Sequence, residues 1–321
     1  MMMYRWEQIT AEAAFAPRDG AGALTFEGRM WLIGGWNPGD KEHFPSTCTN
    51  DVWSSTDGAE WVLEKPNTFG TTDFDPALDW EGRHTAGYAV HDGRMWIVGG
   101  DPIQGHYQGD VWVSGDGRAW ECVCREAPWA PRALHYTVAH DGYLWVIGGQ
   151  TTPQFAPAET RFCDDVWRSR DGAQWEQVPV NAPSWEPRGM IGASAVRDGR
   201  IWILGGGRYD TPDVPERAFY NDVWSSADGA AWECHTSAAA WFPRQYHEVA
   251  LYDERLWVLE GWNGANRNDV WHSADGVEWS EVPDTPWAPR HAASVFVHDG
   301  YLWMVAGNNM ESDVWRLEPT S

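Results

Sequence analysis

Apolar and polar residues alternate along this chain in short runs, which are separated by glycine, aspartate, asparagine or proline. Runs such as HAASVFV and YLWMVAG have the alternating period of a β-strand, and no stretch has the longer period of an amphipathic helix. Asp-Gly between two such runs is a strong signal for a two-residue hairpin turn. The pattern therefore predicts an all-β protein built from short antiparallel strands.

The same series of strands recurs six times. Each copy contains an arginine, a strand a, a hairpin turn, a strand b that ends in Gly-Gly or a variant of it, and a strand c that begins Asp-Val-Trp. The first five copies also contain a strand d led by tryptophan. The arginines are Arg18, Arg83, Arg132, Arg188, Arg244 and Arg290. Repeated four-stranded units are typical of propeller blades. We predict a six-bladed β-propeller with four antiparallel strands in each blade.

The sixth copy ends at DVWRLEPTS and lacks a strand d, which the start of the chain can supply. Residues 3–9 resemble the strand d of the third copy and are expected to complete the last blade. Such closure removes an exposed sheet edge, and it makes residues 1–321 a single domain. The predicted blades span residues 18–64, 83–124, 132–179, 188–235, 244–283, and 290–317 together with 3–9.

Charge and composition limit the classes of binding partner that we expect. The net charge is −24, and such a surface repels nucleic acid and anionic membranes, so neither is expected as a partner. No apolar run has the length of a membrane span or of a secretion signal. The odd number of cysteines, five, suggests reduced thiols and a cytoplasmic protein.

The motif P-R-x-x-H, a D-G turn, an apolar strand, G-G, N-D-V-W and a strand-d tryptophan together resemble the kelch repeat over nearly the whole chain. The resemblance implies a propeller fold. It leaves function open, because kelch propellers include protein-recognition modules, sugar isomerases similar to sialic acid mutarotase, and the copper domain of galactose oxidase. No cysteine lies on a strand a, which argues against the copper chemistry.

The repeat arginines allow two interpretations. In the first, they form an anion-binding ring at the mouth of the central channel, since guanidinium groups bind carboxylate or phosphate through two hydrogen bonds. In the second, each arginine pairs with a backbone carbonyl or with the aspartate of the Asp-Val-Trp motif. All six copies have both residues, which favours the second interpretation.

Tryptophan is the most informative residue type. Of 25 tryptophans, 23 occupy positions that the repeat explains by blade packing. The two that remain, Trp36 and Trp262, both follow strand b in the sequence Gly-Trp-Asn, on the face with the variable connections. There they could stack on a sugar ring or a flat ligand, with Asn263 beside Trp262, or they could anchor loops on a neighbouring blade.

The fifth copy breaks the repeat at Glu260, where the other copies have glycine or alanine. Continuation of the hairpin register places His247 opposite Glu260, and Glu248 is the next residue on strand a. A carboxylate beside a histidine can fix one ring tautomer and tune proton transfer. We therefore predict His247, Glu260 and Glu248 as catalytic residues, with a buried interblade ion pair as the structural alternative.

A second cluster comes from the residue after each arginine. His291, Asp19 and His84 belong to neighbouring copies and form a possible metal set. Geometry cannot be derived from the sequence, so our main expectation is that no cofactor is used and no metal is bound. The remaining predicted ligand contacts on this face are His84, His135, His291 and Tyr246.

These observations lead to one main hypothesis and two others. The main hypothesis is a small-molecule site at the channel mouth, with cofactor-free acid–base chemistry of isomerase, lyase or cyclase type on an anionic, sugar-like or flat metabolite. The alternative is a non-catalytic kelch module that binds a protein or peptide. The third is a metal-dependent enzyme.

Overall fold

The protein is a six-bladed β-propeller. The computed structural model describes residues 3–42, 44, 47–103, 106–151, 161–182, 184–189, 194–211 and 213–320. These residues form six four-stranded antiparallel sheets and one two-stranded sheet, and they contain no helix. No segment of them is therefore a helix that could cross a membrane. The predicted fold class is confirmed.

The strands are short. In chain order they are β1 (Met3–Thr10), β2 (Gly22–Phe26), β3 (Arg29–Trp36), β4 (Cys48–Ser55), β5 (Val62–Lys65), β6 (Gly87–His91), β7 (Arg94–Ile103), β8 (His106–Ser114), β9 (Glu121–Cys124), β10 (Tyr136–His140), β11 (Tyr143–Ile147), β12 (Gln150–Thr151), β13 (Arg161–Phe162), β14 (Val166–Ser169), β15 (Glu176–Val178), β16 (Ser194–Arg197), β17 (Arg200–Arg208), β18 (Ala218–Ser226), β19 (Glu233–Thr236), β20 (Glu248–Tyr252), β21 (Arg255–Leu259), β22 (Val270–Ser273), β23 (Ser280–Val282), β24 (Ser294–His298), β25 (Tyr301–Val305) and β26 (Val314–Thr320).

The blades follow chain order. Blade 1 is β2–β5, blade 2 is β6–β9, blade 3 is β10, β11, β14 and β15, blade 4 is β16–β19, and blade 5 is β20–β23. Blade 6 is β24–β26, and β1 pairs with β26 as its outer strand, as predicted. The innermost strands contact one another in the order β2, β6, β10, β16, β20, β24 and back to β2. These strands line the central channel.

The a–b turns have the chemistry that a tight hairpin requires. Both central residues have positive φ in the turns at Glu27-Gly28, Asp92-Gly93, Asp141-Gly142, Asp198-Gly199, Asp253-Glu254 and Asp299-Gly300. Such turns match the twist of the flanking strands and favour Asp-Gly. The turns fix the register of each a–b pair, so the register predicted for blade 5, with Glu248 opposite Leu259, is confirmed.

Each blade is fastened by a buried arginine. In blade 6, Arg290 donates to both carboxylate oxygens of Asp313, at 2.7 and 2.8 Å, and to the carbonyl oxygen of Ala306 at 2.7 Å. The indole N–H of Trp315 donates to the same carboxylate. The equivalent pairs are Arg18–Asp51, Arg83–Asp110, Arg132–Asp165, Arg188–Asp222 and Arg244–Asp269.

Tryptophans fill the spaces between and within blades. The aromatic residue before each arginine, a tryptophan in five blades and Phe15 in blade 1, packs edge-on against the strand-d tryptophan, as Trp241 does on Trp279 with ring centroids 5.9 Å apart. Strand-b tryptophans are buried and donate to a carbonyl five residues earlier, as Trp257 does to Tyr252 at 2.8 Å. The packing roles inferred from the sequence are therefore confirmed for these positions.

The two positions of Gly-Gly differ in what they tolerate. The second has φ between 95° and 120°, and a Cβ there would come within 2.8 Å of His247 Cβ at Gly261, so only glycine fits. The first has φ between 48° and 63°, which other residues can adopt at a modest cost. Glu260 and Ala306 occupy this first position in blades 5 and 6.

Candidate functional site at the channel mouth

A ring of backbone hydrogen bonds lies at the mouth of the channel. In the five blades where it is described, the second residue after the repeat arginine has positive φ, and four of these residues donate their N–H to the equivalent carbonyl of the preceding blade. The described bonds run from Gly20 to Ala292 (2.9 Å), from Thr85 to Gly20 (3.1 Å), from Leu134 to Thr85 (3.1 Å) and from Ala292 to Tyr246 (2.8 Å). The blade-4 member, Met190, lies outside the described residues. We call this set the amide ring.

The amide ring lies between two cavities. The channel cavity, about 190 Å³, is lined by innermost-strand residues that include His135, Tyr136 and Glu248, together with Gly20 and Thr85 of the ring. The mouth cavity, about 210 Å³, is lined by Tyr246 and Ala292 of the ring and by residues beyond it.

Side chains around the mouth come from positions just beyond the a–b strand pairs, where the residue type is no longer constant from blade to blade. Beyond each a–b pair, the residue after the arginine forms one further backbone bridge with the residue after Gly-Gly. These pairs are Asp19–Trp36, His84–Asp101, Ala133–Gln150, Gly189–Gly207, Gln245–Trp262 and His291–Asn308. Their backbone positions repeat while no two pairs have the same combination of side chains, which is the pattern of a binding surface on a constant frame.

Aromatic and imidazole rings form most of the mouth cavity wall. They are Trp36, Trp262, Tyr209, Tyr246, His84 and His291. Both tryptophans that the repeat does not explain therefore line one cavity, although they belong to blades 1 and 5. Asp19, Arg217 and Asn308 complete its polar lining.

His84 is held between two carboxylates. Its Nε2 lies 3.4 Å from Asp19 Oδ1 and its Nδ1 lies 3.5 Å from Asp101 Oδ1. Burial disfavours the charged ring, but contact with the two carboxylates outweighs it and raises the pKa of His84 to about 10. The ring is therefore an imidazolium at neutral pH, and it joins blades 1 and 2.

The pKa of His291 is shifted in the opposite direction to that of His84. Burial lowers its pKa to about 4, and the charge of His84 adds to this effect while Asp19 opposes it. Its Nδ1 lies 2.7 Å from Asn266 Oδ1, and the other end of that amide faces the carbonyl of Pro289. His291 therefore donates from Nδ1, and its Nε2 carries a lone pair.

Tyr246 lies beside His291, with ring centroids 5.1 Å apart. Its side chain is 8 % exposed, and its hydroxyl is buried with no hydrogen-bond partner among the described residues. A buried hydroxyl without a partner costs free energy in the unliganded protein. A hydroxyl in this state is a ready contact for a bound molecule.

Arg217 reaches the mouth cavity from the b–c connection of blade 4. Its guanidinium lies over the ring of Tyr209 at 4.4 Å and over that of Trp262 at 4.8 Å, and its Nε donates to Asp210 at 2.9 Å. The guanidinium is therefore within cation–π distance of both rings. The sequence analysis did not identify Arg217, because it lies in a variable loop with no equivalent in other blades.

The predicted catalytic pair, His247 and Glu260, is not formed, and this expectation needs correction. His247 lies 2.8 Å from the carbonyl of Leu204 in blade 4 through Nε2, and burial lowers its pKa to about 3. Glu260 instead accepts a bond from the N–H of Gly261 at 2.9 Å, and blade 6, through Arg290, contributes to its electrostatics. Both side chains are fully buried, and neither lines the two cavities.

Steric matching between blades explains this arrangement. The first position of Gly-Gly faces the third residue after the arginine in the next blade: Gly99 faces His135, and Gly205 faces His247. The corresponding residue of blade 6 is Ala293. Glu260 thus has a small partner where two other glycines have a histidine, and it fills that space.

Glu248, the third predicted catalytic residue, lines the channel cavity rather than the mouth cavity. Burial raises its pKa well above the usual value. His135 lines the same cavity, and burial lowers its pKa to about 3. Neither residue lines the mouth cavity, where Trp36 and Trp262 lie.

The repeat arginines have no free donors with which to form the predicted anion-binding ring. All six guanidinium groups pair with aspartate inside their own blades, as in the second interpretation, and none is more than 3 % exposed. The six are Arg18, Arg83, Arg132, Arg188, Arg244 and Arg290. Asn263, another predicted contact, accepts a bond from Arg267 at 2.9 Å and does not line the mouth cavity.

The proposed metal set comes together only in part. Asp19 and His84 are in contact, and His291 lines the same cavity. Within the described ranges, however, no three histidine, cysteine, aspartate or glutamate side chains are arranged to hold a metal ion. Part of the long blade-3 connection, residues 152–160, is outside those ranges.

The chain matches no model of a known protein family and no curated protein sequence. The propeller fold therefore follows from the structure, and the resemblance to kelch repeats stays a prediction.

Proposed function

We propose that this propeller binds a small organic molecule with a flat ring in the mouth cavity. The observation that carries the proposal is the meeting of Trp36 and Trp262 in one cavity. Neither residue belongs to the packing scheme that accounts for the other tryptophans. Exposed aromatic faces beside polar groups are typical of sites that bind sugars or planar metabolites.

The size of the cavity supports a small ligand. Its volume of about 210 Å³ lies below the roughly 300–1,000 Å³ of pockets for drug-sized molecules. Trp36, Trp262 and His291 are partly exposed, so a ligand can reach them from solvent. Tyr246 and Ala292 of the amide ring are part of its lining.

We place any acid–base chemistry of this protein in the mouth cavity and not at His247 and Glu260. His291 supports the assignment through its fixed tautomer and its Nε2 lone pair, and Tyr246 supports it through an unpartnered hydroxyl. A histidine with a pKa near 4 stays neutral at physiological pH, which suits hydrogen-bond acceptance better than strong general-base catalysis.

A thermal-shift screen tests the proposal, since a ligand that binds only the native state raises the melting temperature. The screen uses sugars, sugar acids, nucleobases and aromatic carboxylates. A hit should bind roughly 2- to 12-fold more weakly to Trp36→Ala and to Trp262→Ala, the range expected for one lost stacking contact. Phe242→Ala is the matched control, because Phe242 is an exposed aromatic of the d–a loops that does not line the cavity. Equal binding to all three variants would remove the mouth cavity as the site.

The alternative, a protein-interaction module, would use exposed apolar side chains on the same face. Phe44 and Leu78 are exposed on blade-1 connections, and Val214 and Phe242 on connections around blades 4 and 5. Blades 1 and 4 are opposite in the ring, so these residues are scattered, and scattered apolar residues are normal on any surface. Small-molecule binding is therefore the better supported proposal.

A further inference from the structure

Two neighbouring side chains of blade 6 line the mouth cavity. They are His291, the residue after the repeat arginine, and Asn308, the residue after the position of Gly-Gly. Both are partly exposed. The backbone N–H of Asn308 donates to the carbonyl of His291 at 2.9 Å, so the two side chains leave the backbone at adjacent positions.

The orientation of the Asn308 amide is fixed by Asp19. Its Nδ2 donates to Asp19 Oδ2 at 2.7 Å. A carboxylate only accepts hydrogen bonds, so the flipped amide, with Oδ1 in this place, would bring two acceptors together. The other end of the amide is therefore Oδ1, which has no hydrogen-bond partner among the described residues and is not one of their fully enclosed atoms.

The free nitrogen of His291 is also an acceptor. Its Nδ1 lies 2.7 Å from Asn266 Oδ1 and donates to it. Burial lowers the pKa of the ring to about 4, so at neutral pH the second nitrogen carries a lone pair and no proton. Like Asn308 Oδ1, His291 Nε2 has no hydrogen-bond partner among the described residues and is not fully enclosed. We call Asn308 Oδ1 and His291 Nε2 the acceptor pair.

One amino group can use both members of the acceptor pair. Its two N–H bonds diverge by roughly 120°, so its two acceptors lie about 5 Å apart at ordinary hydrogen-bond lengths. Residues joined by a backbone hydrogen bond can present side-chain atoms at this separation. A carbonyl oxygen in the same place would bring its lone pairs against two acceptors. The pair therefore favours an N–H donor over an oxo group.

Aromatic rings around the acceptor pair favour an amino group attached to a flat ring. Trp36, Trp262 and Tyr246 line the same cavity, and the rings of Tyr246 and His291 are 5.1 Å apart with 31° between their planes. The amino group of a nitrogen heterocycle lies in the plane of the ring and donates from the ring edge. Such a ligand turns its edge to the acceptor pair while its faces contact aromatic side chains.

We propose that the ligand of the mouth cavity is a flat nitrogen heterocycle that carries an amino group, and that the acceptor pair binds the two N–H bonds of this group. The inference rests on the proposed function and goes further, because it names the class of ligand and the substituent that the site selects.

Matched compounds that differ only in this substituent test the inference by calorimetry. Adenine and hypoxanthine share a purine ring, and cytosine and uracil share a pyrimidine ring; the first of each pair has an amino group where the second has an oxo group. The amino compound should bind at least about tenfold more tightly, the effect of two hydrogen bonds. Equal or tighter binding of the oxo compounds, or no binding of adenine and cytosine, would overturn the inference.

Variants of the acceptor pair test which atoms make the selection. His291→Phe keeps a ring and removes the Nε2 lone pair, and Asn308→Ala removes Oδ1. Each should reduce the preference for the amino compound roughly 2- to 12-fold, the range for one hydrogen bond. A purely structural role would weaken the amino and oxo compounds equally, and that result would contradict the inference.

His140→Phe is the matched control. His140 is also partly exposed and bonded through one ring nitrogen, which lies 2.9 Å from the carbonyl of Ala227, but it lines neither cavity. Its substitution should leave the preference for the amino compound unchanged. A loss of preference equal to that of His291→Phe would show that the effect does not come from the acceptor pair.

Failure of this inference can be separated from failure of the proposed function. If other ring compounds from the screen bind and lose affinity in Trp262→Ala, the mouth cavity binds a ligand and only the amino class is wrong. If adenine or cytosine binds but is insensitive to Trp36→Ala and Trp262→Ala, the ligand site lies elsewhere and both proposals fail. Melting temperatures of the unliganded variants confirm that each one is folded.

Discussion

The blades and the mouth cavity of this molecule use the same residue types in different ways. Inside each blade, an arginine such as Arg244 donates hydrogen bonds to Asp269 and to the carbonyls of Phe242 and Glu260. At the mouth cavity, Arg217 bonds one aspartate through Nε and otherwise stacks on aromatic rings. The blade arginine is fully buried, and the mouth arginine borders a cavity.

Tryptophan shows the same contrast. Trp257 is fully buried in strand β21 and donates its N–H to a carbonyl, whereas Trp262, five residues later, is partly exposed at the mouth. Residue type therefore says little about function in this propeller. What matters is whether the repeat itself satisfies the side chain. The boundary between the regions lies at the residue after each arginine and the residue after each Gly-Gly.

Removing the arginine from each region should give the largest difference in stability. Arg83→Met leaves the buried carboxylate of Asp110 without its partner and should lower the free energy of unfolding by about 3–5 kcal/mol. Arg217→Met removes a partly exposed cation and should cost less than about 1 kcal/mol. Urea denaturation measures both values. Similar losses in the two variants would contradict the division into blade and mouth arginines.

The ion pair of Arg83 and Asp110 also predicts how the stability of the protein depends on pH. Burial opposes ionisation of Asp110, but Arg83 outweighs it and lowers the pKa of the carboxyl below its usual value. Its contribution to stability is therefore present above about pH 4 and is lost as the pH falls through the lowered pKa. The Arg83→Met variant should lose this acid dependence along with the stability.

Substitution of Glu260 should have the next largest effect, and it should raise the stability of the protein instead of lowering it. Burial raises the pKa of this carboxyl, and the charge of Glu248 adds to it, so the folded protein holds a proton that the unfolded chain releases above about pH 4.5. Stability should fall as the pH rises above that value. Glu260→Gln keeps the shape without the titration, and it should raise the free energy of unfolding by about 1–3 kcal/mol at pH 8.

Glu281→Gln is the control for this prediction, because Glu281 is an exposed glutamate on strand β23 of the same blade. It should leave the free energy of unfolding at pH 8 unchanged. A destabilised Glu260→Gln variant would mean that the carboxylate is ionised in the fold and has a cationic partner.

NMR titration of the histidine Cε1–H signals measures the protonation of His84 and His291 directly. His84 should stay protonated to about pH 10, whereas His291 should stay neutral down to about pH 4. His84 therefore stabilises the fold fully below about pH 6.5, and this contribution is lost as the pH rises through 10. His291 has the reverse effect, and it lowers stability as the pH falls from about 6.5 towards 4. Two histidines that titrate together near pH 6.5 would contradict the charge distribution of the mouth cavity.

Particular residues show where sequence reasoning succeeded. The Asp-Gly turns, the Asp-Val-Trp strands and the closure of blade 6 by residues 3–9 were predictable, because each depends on local backbone chemistry or on a repeated pattern. The separation of Trp36 and Trp262 from the packing tryptophans was also predictable, and the structure brings these two residues to one cavity.

The failure at His247 and Glu260 has a local cause. The hairpin register holds as far as Glu248 and Leu259, where the strands end. Glu260 then adopts a φ of 48°, outside the extended region, and its carboxylate accepts a bond from the N–H of Gly261 rather than from His247. A register rule derived for strands does not extend past the residue at which the backbone stops being extended.

The sequence by itself determined the number of blades, the order of strands, the closure of the ring and the residues that do not belong to the repeat. These properties follow from short-range periodicity and turn chemistry, which are encoded within each copy. Only the tertiary structure decided which side chains meet at the mouth cavity. Arg217, His291 and Asp19 come from blades 4, 6 and 1, and their meeting depends on loop conformation and on the curvature of the ring, which no local pattern encodes.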